Sequence, residues 1–288
     1  MMKKALAILA AVLLPVLTWG QAQINTKKVK IGDFTQKITK IVLTGNDFID
    51  TAFKDEVTAR WRVSPYEFCT LDEFNSLKGS DEYYFLMITK GQFKKDLSPT
   101  IQFMTLIKGG QGADKGIDGM LEIVSLPIAA AQFPSGREIA YIPAFLDIIQ
   151  DYTLDSMEKD ANAYGGLTNY TANIVRSEDL RIAFSKDDIA VSLESLDEGT
   201  DSFGKDMLLM EEEEVDALMI NGAEDTIVSY VVAPFEPQNG MYCYKMLIDS
   251  GSHRLYYFKK HRLTKNQGPG FLPKDIRVIT AKRAKEVK

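Results

Sequence analysis

The chain has 288 residues, 26% of them charged, 10% aromatic and 45% hydrophobic, with a formal net charge of −6. These values are ordinary for a globular protein and exclude a disordered or fibrous chain. The acidic balance argues against a general nucleic-acid binder.

The first 22 residues read as a secretory signal, from a positive start, an apolar stretch and small residues at a cut site. Lys3 and Lys4 supply the charge, residues 5–17 the apolar run, and Gly20 and Ala22 the small residues before a mature start at Gln23. The run is shorter than the roughly twenty residues a membrane span needs. No Cys follows it to accept a lipid, and no later segment is long and apolar enough to span. The expected location is the periplasm or the exterior, with no transmembrane segment in the mature chain. Cys69 and Cys243 lie in apolar runs. They read as buried free thiols, with a long-range disulfide the alternative in an oxidising compartment.

Periodicity gives one order of elements twice. The first set has a strand at 40–44, a turn with Asp47 placed to cap, and a helix at 48–61 ended by Ser64 and Pro65. A strand at 66–69 follows, then a capping box from Thr70 to Glu73 that opens a helix to residue 77. Strands at 83–89, 101–108 and 120–129 precede a closing helix at 144–159. The second set has strand 180–184, a polar turn at 185–188, a short helix at 189–196, strand 207–210 and helix 211–219. Strands 227–233, 241–248 and 254–263 precede the last helix, 273–285. The fold class is therefore α/β or α+β: two duplicated β-α-β-α-β-β-β-α units, mixed sheets with helices on at least one face, packed about an approximate two-fold. Leu71-Asp72 against Val215-Asp216, Asp81 against Asp225, and Asp147-Ile148 against Asp275-Ile276 support the duplication. The units span 23–165 and 166–288, with Gly165 and Gly166 at the boundary.

Familiar catalytic signatures are missing. Gly109, Gly110, Gly112 and Gly116 lack dinucleotide spacing and no helix follows, so they read as a mobile hairpin loop. His253 and His261 are eight residues apart, roughly 26 Å along a strand, and cannot share an ion. Two Cys and two His build no metal cluster, and no cofactor is expected. Ser156 to Lys159 and Ser202 to Lys205 fit S-x-x-K without its companion motifs, and the sequon at Asn169 carries little weight in a bacterial protein. The acidic run at 211–214 lacks a calcium-loop pattern.

Charge is segregated. Residues 187–225 hold fourteen acids and one Lys, and residues 254–288 hold eleven Lys or Arg and two acids. On the strand at 254–262 one face reads Arg254, Tyr256, Phe258, Lys260 and Arg262, the candidate interaction surface. Interleaved basic and aromatic residues form platforms for glycans or single strands. They also occur on a solvated, charge-protected edge.

Three stretches resemble a family of uncharacterised exported proteins from Gram-negative anaerobes. They are Val42-Leu-Thr-Gly-Asn-Asp-Phe48, Trp61-Arg-Val-Ser-Pro-Tyr-Glu-Phe68, and Tyr242-Cys-Tyr-Lys-Met-Leu-Ile248 with Leu255-Tyr-Tyr-Phe-Lys-Lys-His261. The resemblance implies export and carries no site residues. The element layout is also similar to periplasmic assembly-factor domains of the TolB N-terminal and curli-secretion type, a likeness that does not establish function. The expected function is an exported binding or assembly protein whose partner is an envelope protein or a glycan, not nucleic acid. The alternative is an envelope hydrolase acting on glycan or peptide through a carboxylate pair.

Overall fold

The computed structural model describes residues 30–93, 96–190 and 206–283. The signal-like segment and most of the helix expected at 189–196 lie outside them. The first unit contains β1 (Ile38–Val42), α1 (Asp47–Arg60), β2 (Tyr66–Cys69), α2 (Leu71–Leu77), β3 (Tyr83–Gly91), β4 (Ile101–Lys108), β5 (Leu121–Ala130) and α3 (Arg137–Glu158). A short helix α4 (Asp160–Gly165) and a 3-10 run (Gly166–Ser177) lead to the second unit. That unit contains β6 (Arg181–Ser185), β7 (Met207–Met210), α5 (Glu212–Ile220), β8 (Thr226–Val232), β9 (Tyr242–Asp249), β10 (Leu255–Arg262) and α6 (Pro273–Arg283). Among the described residues no helix is long and apolar enough to cross a membrane.

Local chemistry sets most boundaries. Gly45, at φ +81°, turns the chain into α1, and Asn46 caps it by accepting from the Phe48 and Ile49 amides. Asp47, expected as the cap, is the first helical residue. The helix buries Phe53 and Val57 at i, i+4 spacing while Phe48 is 72% exposed. Thr70 and Glu73 form the expected capping box on α2. Helix α3 begins seven residues before the expected start at 144 and carries Pro143 inside it. Proline removes one helix hydrogen bond. The turn before it is retained because Arg137, Tyr141 and Ile142 are all buried. In the second unit the polar turn becomes a 3-10 turn, Lys186–Asp188, and Ile189 bridges to Phe271.

Each unit has one five-stranded mixed sheet, with order β2-β1-β3-β4-β5 in the first and β7-β6-β8-β9-β10 in the second. In both, the strand next to the edge, β1 or β6, pairs in parallel with both neighbours, and the last three strands form an antiparallel meander. The duplicated topology expected from the sequence is thus present. Register identifies equivalent positions: Ile38 pairs with Tyr83, and Arg181 with Thr226. Phe85 therefore corresponds to Val228 and Met87 to Tyr230. The identities noted above are not the equivalent positions, because the helix N-caps Thr70 and Glu211 are 141 residues apart and not 144. Likewise Asp147 sits mid-helix in α3, whereas Asp275 sits in the first turn of α6.

Equivalent faces can now be named. The front face of the first sheet carries α2, with Phe74 edge-on to Phe85 at 4.9 Å. Its back face, with Tyr84 and Leu86, packs in the main core with Phe53 of α1 and Phe145 of α3. In the second unit α5 lies on the front face with Val228, and α6 lies on the back with Ile227 and Leu247. The second sheet's front face also receives α3 and the edge of the first sheet. Tyr230 meets Tyr141 and Phe145 at 4.3 and 5.4 Å, and its hydroxyl donates to the Ile128 carbonyl at 2.6 Å. Two-fold packing would join like faces. Such a contact is present at Phe103 and Tyr244, equivalent positions of β4 and β9 whose rings meet at 5.7 Å.

Candidate functional site

The face that the first unit covers on the second sheet is itself partly open on the first. Helix α2 shields only the β1–β3 side, in a small cluster with Cys69, Phe74, Phe85 and Met87. Over β3–β5 lies an open cleft of about 830 Å³ with Thr89, Thr105 and Ser125 among its lining residues. In the second unit the equivalent positions are Val232, Met246 and Phe258, by the registers Tyr230–Met246 and Met246–Phe258. All three are buried in the main core. One unit therefore has apolar side chains where the other has hydroxyls, on one topological face. The hydroxyls form a ladder: Thr89 Oγ1 to Thr105 Oγ1 at 2.9 Å, and Thr105 Oγ1 to Ser125 Oγ at 3.1 Å.

Aromatic rings wall the cleft. Phe103 meets Tyr244 edge-on at 5.7 Å across the two units. Gly91 makes this possible, since a Cβ there would lie 2.6 Å from the Phe103 ring. Burial pushes the Tyr244 phenol well above its ordinary range, so it remains a neutral donor. Lys260 holds its ammonium 4.6 Å from the Tyr242 ring centre and 5.9 Å from that of Tyr244, a cation–π geometry. Tyr164, 68% exposed, stands at the rim. No family model matches this chain, and neither a curated protein nor a solved structure matches it.

The candidate surface read from the sequence is only partly assembled. A bulge lies between Leu255, paired with Ile248, and Tyr257, paired with Leu247. It breaks the two-residue alternation. Tyr256 is therefore buried in the cluster under α6, beside Tyr257. Phe258 faces the main core, and its carbonyl accepts from Thr171 Oγ1 at 2.7 Å. Phe258 and Lys260 line the cleft, and Arg262 lies 5.3 Å from the Tyr242 ring centre. Arg254 is exposed on the far side of the bulge, next to His253. The latter has φ +58° and places Nδ1 2.6 Å from Asp147. The five residues do not share one face. The hydroxyl ladder escaped sequence reading, although each of its three strands carries one hydroxyl residue mid-run.

Carboxylates converge on Arg137 as well as along α3, where burial and then the flanking Asp155 and Asp147 push the Asp151 carboxyl up. Arg137, buried at the start of α3, binds Asp188 at 3.1 Å, Asp216 at 2.7 Å and Glu212 at 3.3 Å. Tyr141 donates to Asp216 at 2.9 Å, and Ser229 Oγ donates to Asp188 at 2.6 Å. Burial disfavours the guanidinium charge, but Asp188 and Asp216 outweigh it and hold Arg137 protonated. Burial raises the Glu212 carboxyl and Arg137 opposes that shift. This cluster ties α3 to the second unit.

Other reactive side chains are committed to the fold. Lys245 and Asp275, both fully buried, pair with each other, and Asp275 also accepts from Lys259 at 2.7 Å and Tyr257 at 3.1 Å. Burial alone would raise the Asp275 carboxyl, yet the two lysines hold it at about 2. His261 Nε2 lies 3.0 Å from the Gly268 carbonyl, and burial lowers its pKa. Cys69 and Cys243 are buried free thiols, each pushed up to about 11 chiefly by burial, which makes them poor nucleophiles. The glycine-rich loop folds into two 3-10 turns, Ala113–Lys115 and Ile117–Gly119. Gly112 needs its missing Cβ, which would sit 1.8 Å from the Gly119 carbonyl oxygen. Among the described residues, no group of three His, Cys, Asp or Glu is placed to hold a metal ion.

Proposed function

We propose that the protein is an exported binding or assembly protein of the periplasm or cell surface, with the cleft over β3–β5 as its ligand site. One observation carries this reading. Equivalent faces of a duplicated sheet are apolar where they are packed and hydroxyl-bearing under the cleft, where Thr89 and Ser125 are half-buried and Thr105 lies buried between them. A cavity of this size, with a few placed polar groups among aromatic walls, is the general form of a ligand site. Export rests on the signal-like residues 1–22 and on the resemblance to exported proteins. A hydrolase has less support, because the carboxylates around Arg137 are ion-paired with it and join the two units.

The test is affinity capture from the protein's own envelope with wild type and the double variant Thr89→Val, Thr105→Val. Valine stands at the equivalent position of the second sheet, Val232. Loss of a reproducible partner, with the melting temperature within about 2 °C of wild type, supports the reading. Unchanged capture sinks it.

A further inference from the structure

The lining of the cleft narrows the class of ligand. Three hydroxyls bring three O–H donors, and the ladder consumes two of them. One donor and several lone pairs remain. The direction of the ladder can reverse, since either oxygen can donate in both contacts. A ligand that satisfies such a floor must both donate and accept through groups that rotate. Charge points the same way, because Lys90 and Lys260 are balanced by Asp118 and Glu122 in the lining. The floor is also the face of β4, which is bonded to β3 and β5 on both sides. An extended peptide needs a free strand edge to join, and β4 offers none.

We infer that the cleft binds a neutral glycan segment, an inference that rests on the cleft being the ligand site. Sugar hydroxyls would meet Thr89 and Ser125, which the buried Thr105 bridges from beneath, and the C–H face of a ring would lie on Tyr164 at the rim. Stacking of this kind uses the apolar face of an amphipathic ring. The reversible ladder tolerates more than one hydroxyl configuration. The ring at the rim favours the flat face of a pyranose.

Calorimetric titration of the full mature chain tests this with three probe sets. These are neutral oligosaccharides of β-linked glucose, mannose and N-acetylglucosamine, uronate oligosaccharides of the same length, and extended uncharged hexapeptides. The expected result is binding of a neutral oligosaccharide, weakened about tenfold by Thr89→Val through loss of one hydrogen bond. Tyr164→Ala, at an exposed position, should weaken it as well, and it supplies the test if the valine variant folds poorly. Binding of uronates or peptides alone, sensitive to Thr89→Val, overturns the glycan inference and leaves the cleft as a ligand site. Binding of no probe, while envelope capture still depends on Thr89 and Thr105, also overturns the glycan inference alone. If neither titration nor capture responds to the cleft variants, both readings fall.

Discussion

At the scale of single residues, the buried charges separate fold from function. Asp275 sits between Lys245 and Lys259 with its carboxyl held at about 2, against an unfolded value near 3.9. A depressed carboxyl contributes stability that is present above its unfolded pKa and lost as pH falls through the folded one. Acid should therefore remove about 2 kcal/mol of stability between roughly pH 4 and pH 2. Urea denaturation across that range would show it, and Asp275→Asn should flatten the dependence. Asp275→Ala at neutral pH leaves Lys245 buried without its counter-charge and should cost about 3–5 kcal/mol. The sequence names Lys245 as one lysine in an apolar strand. It cannot say that the first turn of α6 brings a carboxylate to it, because that contact spans thirty residues.

Among the elements, the caps follow from sequence and the helix starts only in part. The Thr70–Glu73 box is written in adjacent residues, so it was legible, and Thr70→Ala should cost about 1 kcal/mol in thermal denaturation. Helix α3 shows the limit. Pro143 signals a break by local rules, yet the turn before it stays helical because Arg137 and Tyr141 are held by the second unit. Strand β10 shows a second limit. Alternation reads Arg254, Tyr256, Phe258, Lys260 and Arg262 as one face, but a single extra residue in the pairing redirects Tyr256. Arg254, Lys260 and Arg262 are all exposed. The triple change to Ser should leave the melting temperature nearly unchanged. Binding through the cleft should then depend on Lys260 and not on Arg254, which single substitutions read by titration would separate.

For the whole molecule, one buried arginine joins two copies of one topology. Arg137→Met would leave Asp188 buried and Asp216 half-buried without their cation, so a loss of about 3–5 kcal/mol is expected. The guanidine chloride midpoint measures it. N-terminal sequencing of the envelope form should begin at Gln23 if residues 1–22 are removed on export. The sequence by itself determined the α/β class, the order and hand-off of strands and helices, and the repetition of that order, because periodicity and caps are local properties of a chain. Tertiary structure decided which copy of the repeated face would be buried. Thr89, Thr105 and Ser125 lie in three separate strands and become neighbours only through register. Their difference from Val232, Met246 and Phe258 has meaning only once the second sheet has docked against α3 and β5, which cover that face on the second sheet while the cleft leaves it partly open on the first.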